Sequence, residues 1–177
     1  MRGARARGLQ HKWLVARVGT CHNFPMSSQT QRQPDLGAVR QFSVFVENKV
    51  GRLSELIESL AKADVHVLAL CLVDSTDSTI IRMVLDQPEV GERVLAEHQF
   101  AHDMNGVLAL EMPSEASLKD VADILLRAEI NILYLYPFLF RPSGRCGLVL
   151  RADDQDLAGS VLARHGITVL GQSDLAR

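Results

Sequence analysis

Residues 53–67 read LSELIESLAKADVHV, and residues 118–132 read LKDVADILLRAEINI, a displacement of 65 positions. In both stretches, apolar residues recur with the period of one helix face and then lead into an alternating, β-branched run. The agreement continues downstream, where VLAEH at residues 94–98 matches VLARH at residues 161–165 after a slip of two positions. Residue type and residue order both persist, so the sequence predicts an internal duplication.

The two copies predict the same order of secondary structure. In the first copy, residues 41–47 alternate as a strand does, with Ser43 and Phe45 on the face opposite to Phe42. The other predicted elements of this copy are a helix at 53–61, strands at 65–73 and 80–86, a helix from Pro88 and a strand near Phe100 or Val107. Those of the second copy are 107–112, 118–128, 132–140, 147–151, 157–164 and 167–170. This β-α-β-β-α-β order predicts an α+β fold with two tandem ferredoxin-like domains.

The predicted domains are residues 41–105 and 106–173. Each unit is near the size at which a single core is marginal, so the two are expected to pack edge to edge. This packing predicts a side-by-side, eight-stranded antiparallel sheet with the helices on one face. Residues 132–138 (ILYLYPF) carry apolar or aromatic side chains on both faces, as strands buried on both sides do. We therefore expect a homodimer through the helix-free face.

Residues 1–40 differ in composition from the rest of the chain. They hold seven Arg or Lys against one Asp and show no lasting apolar period, so we expect a disordered N-terminal extension. An organelle transit peptide, or a translation start assigned too far upstream, would look the same. A secretory signal is not expected, because no apolar block of the required length follows the basic residues.

The overall composition excludes several classes of protein. A chain of 177 residues with 47% apolar and 23% charged residues is typical of a soluble globular protein. A net charge of −2 favours neither nucleic acid nor a membrane as partner, and no apolar stretch approaches the roughly 18 residues of a membrane span. The three cysteines form no C-x-x-C pair and are interpreted as reduced thiols of a cytoplasmic protein. Six scattered histidines lack metal-site spacing, so no metal or other cofactor is expected.

The loop VENKVGRL at residues 46–53 joins the first predicted strand to the first helix. Gly51 allows the backbone to approach a ligand closely. The N–H groups that open a helix have no internal partners and, with the helix dipole, favour a carboxylate. Asn48 can both donate and accept, as the two charged groups of an amino acid require. The alternative interpretation is an ordinary strand-to-helix turn without a ligand.

The same loop, ENKVGRL at residues 47–53, followed by AKADVHV at residues 61–67, resembles the opening of an ACT domain. The usual forms in that family are E-N-x-P-G-x-L and A-x-x-G-[IV]-N-[IV]. The resemblance covers about residues 41–170, in two copies, and is strongest to small bacterial tandem ACT proteins, some labelled small regulatory subunits of acetolactate synthase. It implies a non-catalytic regulatory or sensor protein that binds an amino acid between its domains, with one Asn supplied by each.

Carried over residue by residue, the resemblance implies one working ligand site per chain. The first copy keeps the loop but has His66 in place of the strand Asn, whereas the second copy keeps Asn131. In the second loop, Pro113 stands where the loop Asn is expected and Ala116 where the loop Gly is expected, so this loop should not bind. The implied ligand-binding residues are Asn48, Lys49, Val50, Gly51, Arg52, Leu53 and Asn131.

Other interpretations of the same residues stay open. Acylphosphatases share the βαββαβ frame and bind phosphate with an Arg-bearing loop, so Arg52 keeps an enzyme alternative open. RNA-recognition modules also share the frame. They need exposed aromatic residues on the central strands and a basic sheet face, whereas this sequence offers only Phe45 and its predicted domains are acidic. A subunit that regulates an amino-acid biosynthetic enzyme would have the same fold and site as a free-standing sensor. Tyr134 and Tyr136 either line the ligand pocket or belong to a core or dimer contact.

Overall fold

The computed structural model describes residues 38–74, 78–114, 117–141 and 144–175. In chain order its elements are β1 (Ala38–Glu47), α1 (Arg52–Lys62), β2 (Val67–Asp74), β3 (Ser78–Leu85), α2 (Pro88–Glu97), β4 (Ala101–Met112), α3 (Ser117–Arg127), β5 (Ile132–Pro137), β6 (Cys146–Ala152), α4 (Gln155–Arg164), β7 (Thr168–Leu170) and α5 (Gln172–Leu175). The α+β class and the repeated βαββαβ unit are confirmed. The short helix α5 follows the second repeat.

One strand, β4, belongs to both repeats. Its residues 101–108 pair with β1, and its residues 108–112 pair with β6. The short β7 pairs with residues 109–111 of the same strand. Among the described residues the sheet therefore has seven strands, in the order β2-β3-β1-β4-β6-β5 with β7 beside β4, and not the eight strands expected from the sequence. The closing strand of the first repeat continues without a turn into the opening strand of the second, so the predicted boundary after residue 105 lies within β4.

The four longer helices form one core per repeat against the sheet. Leu56 and Leu60 of α1 are fully buried in the first core, and Val121 and Leu125 of α3 hold the equivalent positions in the second. Burying each of these side chains is worth about 1.5–3 kcal/mol. This gain explains why the period of the apolar residues located both helices correctly.

Part of the helix-free face of the sheet is also buried, because the sheet curls until its two end strands meet. Ala69 of β2 bridges to Phe138 after β5, and the Leu139 amide donates to the Leu68 carbonyl at 2.8 Å. The buried residues of the third core enclosed in this way are Val39, Leu68, Ala69, Val84, Val107, Ala109, Tyr136, Phe138, Val149, Leu170 and Leu175. Much of the face expected to form a dimer is thus covered by the same chain. The homodimer itself stays a prediction.

Strand β5 is not buried on both faces, although its composition indicated this. Tyr136 is buried in the third core, whereas Leu133 and Leu135 are 53% and 39% exposed. The reason is the position of β5 at the end of the sheet, where it pairs with a neighbouring strand on one side only.

The first strand begins slightly earlier in the chain than the sequence predicted. Residues 1–37, most of the predicted extension, lie outside the described residues, and β1 begins at Ala38, three residues before the predicted strand. At the other end, the Gln172 side chain accepts from the Arg40 amide at 3.1 Å and donates to the Leu85 carbonyl at 3.2 Å. These bonds attach α5 to the first repeat.

None of the described helices is long and apolar enough to cross a membrane.

Candidate functional site

The loop between β1 and α1 contains most of the predicted ligand-binding residues. Gly51 precedes the helix with φ at +93°, a left-handed conformation that L side chains rarely adopt. A Cβ atom placed on Gly51 would meet no atom within 4 Å. The backbone angle, and not close packing inside the chain, therefore requires glycine here.

The first turn of α1 is open. None of the described side chains makes a capping hydrogen bond to it, and the Arg52 amide donates to the Lys49 carbonyl at 3.3 Å. The next two amides, of Leu53 and Ser54, have no comparable partner in the part of the chain described. Amides at a helix start carry the positive end of the helix dipole, so these two N–H groups can hold a carboxylate.

The exposed side chains of this loop have partners in their own repeat. Asn48 Nδ2 donates to Asp74 Oδ1 at 2.9 Å, which ties the loop to the end of β2. Lys49 Nζ lies 2.5 Å from the Glu47 carboxylate, and this hydrogen bond lowers the pKa of Glu47. Val50 is fully exposed. The Oδ1 atom of Asn48 is left to accept a hydrogen bond from a ligand.

Arg52 lies at the base of the loop, directed toward its own repeat. Its Nη1 lies 2.5 Å from Glu55 Oε2, and its guanidinium is 5.3 Å from the centre of the Phe100 ring. Its Nε atom is buried and has no hydrogen-bond partner, the one such side-chain atom among the described residues. A buried donor without an acceptor costs about 1–3 kcal/mol and commonly indicates a missing partner. The next residue, Leu53, packs against the first core.

Asn131, the predicted contribution of the second repeat, stands just before β5. Its amide donates to Asp153 Oδ1 and its carbonyl accepts from the Asp153 amide, both at 3.1 Å. The equivalent His66 makes a similar contact: its amide is 2.8 Å and its Nδ1 2.9 Å from the Asp86 carboxylate. Within the described structure no hydrogen bond joins Asn131 to Asn48, so a shared site stays a prediction.

The corresponding loop of the second repeat is built differently. It begins at Pro113, which is exposed and offers neither an N–H nor a side-chain amide. The Ser117 amide donates to the Ser114 carbonyl at 3.2 Å as α3 begins. Ala116, aligned with Gly51, lies outside the described residues.

A pocket of about 260 Å³ opens on the helix-free side of the sheet, between the two repeats. Its polar lining consists of Ser43, Arg82, Asp103, Asn105, Tyr134 and Arg151. Tyr134 thus lines this pocket, which contains none of the predicted ligand-binding residues, whereas Tyr136 is a core aromatic. The sequence analysis did not single out the charged members, because they come from three strands distant in the chain. The available signal was the polar Ser43 on the face of the first strand opposite to Phe42.

A buried hydrogen-bond network lies beside this pocket. Gln41 is fully buried, and its side chain donates to the Tyr134 hydroxyl at 3.0 Å and to Ser43 Oγ at 3.3 Å. The Tyr136 hydroxyl donates to Gln41 Oε1 at 2.8 Å, and burial raises the pKa of this phenol. The network joins β1 of the first repeat to β5 of the second, so it holds the wall of the pocket in place.

The described residues offer no group of three His, Cys, Asp or Glu that could hold a metal ion. The Nδ1 atom of His165 lies 2.9 Å from the Val161 carbonyl at the end of α4. A histidine in this position can interact favourably with the negative end of the helix dipole.

Comparison with known proteins gives a family match and similar structures. A family model described as an ACT domain pair matches residues 37–177. Protein BT0572 from Bacteroides thetaiotaomicron is similar in structure, with 30% identity and a TM-score of 0.72 over 79% of this chain and 96% of that chain. The regulatory subunit of aspartate kinase from Thermus thermophilus, in its ligand-free form, has 14% identity and a TM-score of 0.49 over 75% of this chain and 95% of that one. No curated protein sequence matches this chain.

Proposed function

We propose that this chain, which belongs to the ACT domain pair family, is a non-catalytic regulatory protein that binds an amino acid at the loop opening α1. The observation that carries the proposal is the uncapped first turn of α1. The amides of Leu53 and Ser54 are open there, directly after the left-handed Gly51. Neighbouring amide donors at a helix start bind carboxylates, and every free amino acid has one.

The loop side chains have distinct roles in this proposal. Asn48, held through Nδ2 by Asp74, accepts from the ligand ammonium group through Oδ1. Arg52, whose Nη1 is paired with Glu55, donates to the ligand through Nη2, and the exposed Val50 covers the side chain of the ligand. Lys49 adds positive charge at the rim, and Leu53 supplies an open amide. Asn131 reaches the ligand from the second repeat.

One such site per chain is proposed. The second loop has Pro113 in place of Asn48, and therefore lacks the side-chain amide that would bind the ammonium group. The acylphosphatase alternative is weakened because Arg52 is paired with Glu55, which neutralises the charge that a phosphate would need.

A partner of this protein is a second part of the proposal. Large apolar side chains are exposed on the second repeat at Leu118, Leu126, Leu133, Leu135 and Leu139. Exposed apolar side chains of this kind can contact either a second copy of the chain or an amino-acid biosynthetic enzyme. Acetolactate synthase, which has a small regulatory subunit, is an example of such an enzyme. Light scattering of the purified chain and co-purification from its native cell separate these two partners.

A thermal-shift screen of the twenty amino acids tests the ligand proposal. A ligand present at 100 times its Kd should add about 2.7 kcal/mol of stability. For an amino acid bound at the loop, Asn48→Ala should abolish the shift, whereas Asp74→Ala, which removes the same internal hydrogen bond but keeps the amide, should retain most of it. Loss of the shift in both variants would mean that ligand binding requires the hydrogen bond between Asn48 and Asp74, and not a direct contact of Asn48 with the ligand.

The glycine is tested with a matched control. Gly51→Val and Gly166→Val place the same side chain at φ +93° and +81°, and in neither case does a Cβ meet an atom within 4 Å. Both variants should lose similar stability, but Gly51→Val alone should lose the ligand. Equal ligand binding by the two variants would exclude the loop as the site.

A further inference from the structure

The strand register places an ordered set of polar groups on the floor of the pocket between the repeats. Ser43 of β1 lies directly opposite Arg82 of β3 on one side and Asp103 of β4 on the other. Neighbouring strands are about 4.8 Å apart, so the backbones at Arg82 and Asp103 are separated by about 10 Å. A basic and an acidic side chain on one sheet face at this separation leave room for a small molecule between them.

Neither of these two charges is neutralised by a described neighbour, because no ion pair in this part of the chain involves Arg82 or Asp103. The half-buried guanidinium of Arg82 lies 3.9 Å from the centre of the Tyr134 ring of the second repeat. Stacking fixes the plane of the guanidinium and leaves its N–H edge available to a carboxylate.

A second guanidinium enters the pocket from the second repeat. One nitrogen of Arg151 donates to the Gly106 carbonyl of β4, and the remaining N–H groups of its fork stay available. Between the charges, Ser43 accepts from Gln41 at 3.3 Å, so its own O–H can donate. The pocket therefore presents two guanidinium groups, one carboxylate and uncharged polar groups from both repeats.

We propose that this pocket binds an α-amino dicarboxylate, such as glutamate or aspartate. One ligand carboxylate pairs with Arg82, the other with Arg151, and the ammonium group pairs with Asp103. The charges of the pocket sum to +1 and those of the ligand to −1, and a volume of about 260 Å³ suits a molecule of this size. The site lies on the sheet face, separate from the loop at Gly51, and does not depend on that loop binding a ligand.

Binding here would connect the two repeats. Arg82 and Asp103 belong to strands of the first repeat, whereas Arg151 belongs to the second. A ligand that pairs with all three is held only while the sheet stays curled, so its binding energy favours the curled form. This gives the site a means to transmit ligand binding to the relative position of the repeats.

Isothermal titration of the full chain tests the proposal with four probes: glutamate, aspartate, glutamine and glutarate. Glutamate or aspartate should bind, and glutamine, which lacks the second carboxylate, should bind about 10- to 100-fold more weakly. Arg82→Met should weaken binding of the acidic amino acid by a similar factor. Asp103→Asn should weaken it as well but leave the affinity for glutarate, which has no ammonium group, unchanged or higher. Arg93→Met, at an exposed arginine of α2, is the matched control and should bind as the unmodified chain does.

Three results would overturn the proposal: no binding of either acidic amino acid, binding unaffected by Arg82→Met in a folded variant, or glutamine binding as well as glutamate. Circular dichroism of each variant verifies the fold. Gly51→Val separates the two sites, because it should leave pocket binding intact. Acidic amino-acid binding that is lost in Gly51→Val and kept in Arg82→Met would assign the ligand to the loop and refute the pocket. If an acidic amino acid binds the pocket and no amino acid requires the loop for binding, only the proposed function of the loop is refuted.

Discussion

The two repeats have the same framework and different loops. His66 with Asp86 in the first repeat and Asn131 with Asp153 in the second form matching contacts before equivalent strands. The loops that open the first helix of each repeat do not match, since one contains Gly51 and the other begins at Pro113. Core positions are constrained by packing in both copies, whereas a loop can change without loss of the fold. The difference therefore assigns the proposed ligand to the first repeat.

The largest effects should come from the equivalent core positions Leu60 and Leu125, both fully buried. Leu60→Ala and Leu125→Ala should each cost about 2–5 kcal/mol of unfolding free energy, because each leaves a cavity. Since β4 is part of both repeats, urea unfolding followed by circular dichroism should show a single transition in each variant. Two separate transitions in either variant would show that the repeats unfold independently in spite of the shared strand.

A smaller effect should distinguish the second helices of the two repeats. Asp154 caps α4 by accepting a hydrogen bond from the Leu157 amide at 2.9 Å, whereas Gln87 at the start of α2 makes no such cap. Asp154→Ala should therefore cost about 1 kcal/mol, and Gln87→Ala less than about 0.5 kcal/mol. Thermal unfolding of the two variants measures the difference. Equal losses would mean that the cap does not stabilise α4.

The smallest effects should come from exposed ion pairs on the first helices. The Lys119 ammonium beside Asp123 in α3 lowers the pKa of that carboxyl group, as Lys62 lowers that of Glu58 in α1. In Lys119→Ala the pKa of Asp123 should rise toward its usual value while that of Glu58 stays unchanged. Carboxyl NMR titration measures both, and an unmoved Asp123 would refute the pairing.

These pairs also give the direction of a pH effect. A carboxyl group with a lowered pKa in the folded state stabilises the protein above its unfolded pKa, and this contribution is lost as the pH falls through the folded pKa. Both pairs are on the surface, so the effect on stability should be small and weakened by salt.

The sequence predicted the repeated elements because their signal is local. The stripe from Leu53 to Ala61 and the alternation in β1 are periodic over a few residues, and burial enforces that period. The continuous β4 was not predicted, because residues 101–106 (AHDMNG) are largely polar and show neither period. The contact of Ala69 with Phe138 could not be predicted from the sequence either. It joins residues far apart in the chain and forms only because the whole sheet curls.

The two candidate sites also differ in whether their residues are close together in the sequence. The loop from Asn48 to Leu53 is contiguous, so its motif was visible and its left-handed glycine was found where the motif placed it. The pocket on the sheet face combines Arg82, Asp103 and Arg151, none of which forms a motif. Only the strand register aligns the first two with Ser43.

The most direct test of the difference between the repeats is to follow backbone amides by NMR while adding the amino acid whose thermal shift depends on Asn48. The account predicts saturable shifts at Leu53 and Ser54, which open α1, and none at Leu118 and Lys119, the equivalent positions of α3. Shifts at Leu118 and Lys119 with Leu53 and Ser54 unmoved would contradict it, because the ligand would then be held by the repeat that lacks the glycine loop.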